Sequence, residues 1–235
     1  MPTDRAAKRL TWGVQLAVVL VLSLLAFGWI LVPAAVPIGA TAVLVAYAIV
    51  VYVGDRMYRG GIARTDLIIL ACGVASAAVL IRAVAVQYLG RTADNAIMVI
   101  VVLALWLVPG VVAAARTRRI GHAVFSSTLS AQIGSLANVA FILASYYVLR
   151  GSPAQERFFR LEGTYDDFAR SGVADFGTFV TGDLFGGAFF HLLLGGVVGA
   201  LLGAIGGALT VVLIRVLKLP DRRANAIAGR IPPCV

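Results

Sequence analysis

The chain has 235 residues, 60% of them hydrophobic and 13% charged, with a net charge of +9 and a mean hydropathy of +0.95. Soluble domains carry about 25% charged residues, so this composition excludes a water-soluble globule and predicts a polytopic protein with lipid as its solvent. The surplus of positive charge sits in short loops, which fits the orientation rule for membrane proteins and gives no reason to expect nucleic acid as a partner.

The expected fold is all-α: one membrane domain over residues 1–235, with six transmembrane helices. Residues 1–9 are short and basic (Arg5, Lys8, Arg9), and no charge follows until Asp55. A span needs about 20 apolar residues, so this stretch holds two helices. Pro33 and Pro37 bracket the turn between them, giving spans over 11–32 and 38–54. The start has the form of a signal peptide, but the apolar run is too long for one and predicts an uncleaved helix.

Arg56, Arg59 and Arg64 surround Gly60-Gly61, and Thr65 caps a third span over 66–89. A fourth covers 96–115, with a kink or break expected at Pro109-Gly110. After Arg116, Arg118 and Arg119 comes a fifth, over 120–149. It is the most polar span, and Ser127, Ser130, Ala131, Gly134, Asn138 and Ser145 fall within about 60° of one direction.

Residues 150–183 form an outer loop. Ser152-Pro153 has the form of a helix start, and Phe158, Phe159 and Leu161 alternate with charged residues as in a short interfacial helix. A second short helix begins near Thr164 and ends at Gly172. The sixth span runs over 184–217, with Asp183 as its cap.

Lysine and arginine give the orientation. The N-terminus, the 55–65 and 116–119 loops and the C-terminal tail carry 14 of the 20 cations. Both termini are therefore expected in the cytoplasm and loop 150–183 outside. Arginine outnumbers lysine heavily, and Ala, Val and Gly abound, which suggests a prokaryotic inner (plasma) membrane. Cys72 and Cys234 lie far apart in sequence and imply no disulfide framework.

The last span holds Gly195, Gly199, Gly203 and Gly207, one every fourth residue, with Gly206 between. Small residues at this spacing let two membrane helices approach closely. Gly195, Gly199, Gly203 and Gly206 are the expected packing positions, against the polar face of span 120–149. Gly187 and Gly207 are expected to turn away.

His191 lies about 40° from Gly195, and so is expected to face protein. Ionisable groups at that depth are functional candidates, and Asn138 lies at a similar depth. His191, Asn138, Arg82 and Asp183 form the candidate polar intramembrane site. Arg82 is expected near the outer interface, in reach of an outer acid such as Asp183.

Enzyme signatures are absent: there is no nucleophile elbow, zinc-protease helix or phosphate-binding glycine loop. Cysteine and histidine are too few and too scattered for a metal cluster, and His122 is expected near the cytoplasmic side of the membrane and His191 near the outer side, which argues against paired haem ligation. No catalytic residue and no cofactor is expected. A membrane enzyme is the least expected class, for want of a catalytic constellation, and two other functions remain open. One is a small transporter or channel-like protein with a polar site between the fifth and sixth spans. The other is a non-catalytic subunit or assembly factor, as a homo-oligomer or within a larger membrane complex.

Overall fold

A computed structural model of the chain describes residues 66–91 and 95–217. The expected spans 11–32 and 38–54, the Thr65 cap, the basic 55–65 loop, Cys234 and the tail beyond Leu217 lie outside the described residues. All regular structure among the described residues is helical. The helices are α1 (Asp66–Tyr88), α2 (Asn95–Thr117), α3 (Ile120–Val148), α4 (Pro153–Leu161), α5 (Thr164–Ser171) and α6 (Phe176–Val216).

Four of them hold segments long and apolar enough to cross a membrane: Leu67–Tyr88, Ala96–Thr117, Ile120–Val148 and Phe190–Val216. The chain is thus a multi-pass membrane protein. Three of the four match the sequence expectation to within a residue or two at each end. α2 runs unbroken through Pro109, whose side chain is fully buried.

The sixth span is the exception, because its helix begins at Phe176 and not at Asp183. The start is set by Asp175, whose Oδ2 accepts the backbone N–H of Thr178 at 2.6 Å. That bond satisfies one of the orphan donors of the first turn. The helix then runs for 41 residues, about 60 Å, roughly twice the hydrocarbon thickness. Its first turns therefore stand outside the membrane, beside α4 and α5.

The two short helices α4 and α5 follow local signals. Ser152 Oγ accepts the N–H of Gln155 at 3.2 Å, with Pro153 in the first turn. Gly163 and Gly172 bound α5 in left-handed conformations that a side chain would strain.

The four long helices close around α3. In its most apolar stretch 67% of residues are buried, against 22%, 28% and 28% for the other three. Contacts fix the directions. Gly73 and Ser76 of α1 meet Ile133 and Gly134 of α3, so these two helices run parallel. Gly195 of α6 abuts Ser135, Gly199 abuts Ala131 and Thr128, and Gly203 abuts Val124 and Ala123, so α6 runs antiparallel to α3. α2 is antiparallel to α3 as well, with Gly110 against Ser127 and Ala123. It also meets α6, where Leu107 and Val111 cover Gly206.

The approach is close enough to exclude side chains. A Cβ on Gly203 would lie 2.6 Å from the Cα of Val124, and one on Gly199 would lie 3.0 Å from the Cα of Thr128. Gly207 is also buried, and a Cβ there would meet that of Ala123 at 2.6 Å, so it faces α3 and does not turn away. Gly187 does stand in open space. In lipid there is no hydrophobic drive between helices, and packing of this kind holds them together.

Gly203→Ala is expected to lower the melting temperature, because overpacking against backbone costs about 1–3 kcal/mol. Gly187→Ala should hold or raise it, since alanine favours a helix over glycine by about 0.5–1 kcal/mol. Thermal unfolding in detergent checks both, and Gly199→Leu should reduce folded yield.

Candidate functional site

The least apolar of the four long helices is the most enclosed. All six residues of the expected polar face, Ser127, Ser130, Ala131, Gly134, Asn138 and Ser145, are buried. Gly134 and Ser130 meet α1, Ser127 meets Gly110 of α2, and Ala131 meets Gly199 of α6. The face therefore points into the centre of the bundle.

Several polar atoms of α3, some on this face (Ser127, Ser130, Asn138) and some off it, have no hydrogen-bond partner among the described residues. They are the hydroxyls of Ser126, Ser127, Thr128 and Ser130, Gln132 Oε1 and Asn138 Oδ1. Ser126, Ser127 and Ser130 are 0% exposed and Asn138 is 3%. Each unmade buried bond costs on the order of 1–3 kcal/mol.

Trp106 joins this group. It sits midway along α2, packs with Val102 and Ala131, and its indole Nε1 is also unpartnered. Pro109, three residues on, has no N–H to offer the carbonyl of Leu105. The middle of α2 thus sets an indole donor against the α3 face that carries the serine hydroxyls and the Asn138 amide. Every one of these groups is uncharged.

The four expected site residues do not form one cluster. Asn138 is in the core, level with Leu192 on α6 by the register of the glycine contacts. His191 is exposed, its ring 6.1 Å from that of Phe190. Asn138 Oδ1 receives no bond from it. Arg82 is exposed on α1 and makes no ion pair with Asp183. The angular reason for His191 is simple. The buried arc of α6 centres between Gly199 and Gly203, and Gly195 stands at its edge. Another 40° beyond Gly195 leaves the arc.

Asp183 lies on the extramembrane part of α6. Partial burial, and then the negative charge of Asp167, push its carboxyl above the usual range. Asp167 itself pairs with Arg170. Nearby, Glu156 accepts from the hydroxyl of Tyr165 and from Arg160 Nε at 2.9 Å. The Tyr165 bond first, then Arg160, hold that carboxyl below its usual range.

Sequence reasoning passed over Trp106. For Trp106 a signal was present: tryptophan in membrane helices favours the interfaces, and this one is at the midpoint of a span. Together these features define a multi-pass membrane protein built around a buried, neutral, polar helix face. No family model, no curated protein and no solved structure matches the chain.

Asp183→Asn is expected to raise the melting temperature at pH 7 by a few degrees at most. A raised folded pKa means that the ionised form is the one the fold disfavours, so the gain should shrink as pH falls and vanish below the unfolded value of about 3.9. Melting curves across pH check this.

Proposed function

We propose that the protein is a six-span protein of a prokaryotic inner membrane, with both termini cytoplasmic, that passes a small solute along the polar face of α3. The observation that carries this reading is the combination in α3: the most polar span is also the most central, and it keeps unpartnered hydroxyl and amide groups inside the bundle. Polar groups within membrane helices are costly, and they face bundle interiors where they line substrate paths. Nothing in this reading calls for a catalytic residue or a cofactor. The site that it implies lies on the α3 side facing α2 and includes Asn138, with His191, Arg82 and Asp183 outside it.

A second reading has its own support. Arg82 and His191 are polar groups on outward faces of membrane helices, where a neighbouring protein could meet them. A non-catalytic subunit of a larger membrane complex, or a homo-oligomer, would use them so.

Reconstitution into liposomes separates the two. Transport predicts solute flux from the isolated protein, and Asn138→Leu should reduce it at least about tenfold, by analogy with the loss of one strong polar contact. Folded protein that moves no solute, yet co-purifies in mild detergent with a larger assembly, would favour the subunit.

A further inference from the structure

We infer that the central polar face of α3 binds water in the resting protein and admits uncharged hydrogen-bonding molecules while excluding ions. This deepens the transport reading and names its solute class.

Ser127 and Ser130 are 0% exposed, Asn138 is 3% and Trp106 is 7%, and each carries a polar atom without a partner among the described residues. Buried polar groups in folded proteins are almost always satisfied, by protein or by ordered water. A buried water commonly makes about three bonds to such groups. Ser127, Ser130 and Asn138 on one face of α3, with the Trp106 indole packed against Ala131 of that face, supply such groups: the indole Nε1 donates, the Asn138 Oδ1 accepts, and the serine hydroxyls do either.

The exclusion of ions follows from charge. The unpartnered groups that line the face are hydroxyls, amides and an indole; none of them carries charge. An ion drawn into the face would leave its hydration shell and find no counter-charge, which is strongly unfavourable in a low-dielectric interior. A water molecule, or another small neutral hydroxylic molecule, exchanges hydrogen bonds at little cost.

The contrast with the outer end of α3 sharpens the point. Tyr146 is 5% exposed, close to the figure for Trp106. Its hydroxyl is nevertheless matched, to Thr181 Oγ1 at 3.1 Å. Burial alone therefore does not leave polar groups unpaired in this fold, and Ser127, Ser130 and Asn138 of the central face are among those that stay unpaired.

Radiolytic hydroxyl-radical footprinting of the whole protein in lipid nanodiscs tests the water. Radicals formed from bound water label the side chain next to it. Trp106 should be labelled well above Tyr146, and labelling of Trp106 no higher than that of Tyr146 overturns the inference. Ser130→Ala gives a second, independent reading. Alanine is the better helix former, and removing a dry, unsatisfied hydroxyl relieves a penalty. A dry face therefore predicts an unchanged or raised melting temperature, and that result also overturns the inference; a lowered one supports it. Liposomes test the exclusion: osmotically driven water or glycerol flux is expected with no Na⁺ or K⁺ current, and a cation current lost in Ser130→Ala would overturn it. Trp106 labelled in a protein that passes nothing would leave the hydrated site standing and remove the transport reading alone.

Discussion

The bundle depends on how closely α3 can lie against its three neighbours. At each contact a serine hydroxyl fills the notch that a glycine leaves. Ser76 of α1 sits over Gly134, Ser127 of α3 over Gly110 of α2, and Ser135 of α3 over Gly195 of α6. Against α6 the contact then continues through Gly199, Gly203 and Gly207, which meet the backbone of α3 almost directly. Both helices step by four along this line: 195, 199, 203 and 207 on one, and 135, 131, 127 and 123 on the other. Rows of this kind interdigitate when two helices cross at an angle, so the drift of about 40° per step is followed by the partner. That is why Gly207 remains in the contact.

Close approach explains why a helix so rich in serine can be central. Small side chains let α3 be surrounded on several sides at close approach. They also bring hydroxyls into a place with no bulk water. Some close locally, as Ser76 does by donating to the Gly73 carbonyl at 2.8 Å. Those of Ser126, Ser127 and Ser130 do not. The geometry that stabilises the bundle thus creates the polar demand at its centre, and packing and site share one set of residues.

Much of this was legible in the sequence, because its signals are local or periodic. Apolar length gave the spans over 66–89, 96–115 and 120–149, and the direction shared by Ser127, Ser130, Gly134 and Asn138 gave the inward face. Ser152-Pro153 gave the start of α4 and Gly172 the end of α5. What failed needed knowledge of a partner's position. His191 was assigned to the protein side from its nearness to Gly195, but the middle of an arc cannot be found from one member near its edge. The start of α6 was sought at the last acid before the apolar run. The effective cap was the earlier Asp175, because this helix extends beyond the membrane and its first turns need not be apolar. Trp106 entered the site only because α2 packs there.

The outer end of the bundle is built on the opposite principle from its centre. Tyr146, Phe159 and Val180 form a buried cluster there, with Phe176 and Phe179 against it. Rings of α4, α5 and α6 stack over one another, Tyr165 on Phe176 at 4.9 Å and Phe158 on Tyr88 at 4.5 Å. Gln155 is buried, yet both ends of its amide are used: Oε1 accepts from the Gly151 N–H at 2.8 Å and Nε2 donates to the Tyr146 carbonyl at 3.3 Å. Gln87 Nε2 donates to Glu162 at 2.5 Å and ties the end of α1 to the end of α4. This cap is thus packed through apolar rings, with its buried amide paired. A solute that used the α3 face would have to displace it or enter beside it. α4 is joined to α3 at Gly151 and to α5 at Gly163, and α5 is joined to α6 at Gly172, so glycine in a left-handed conformation makes each turn of the cap.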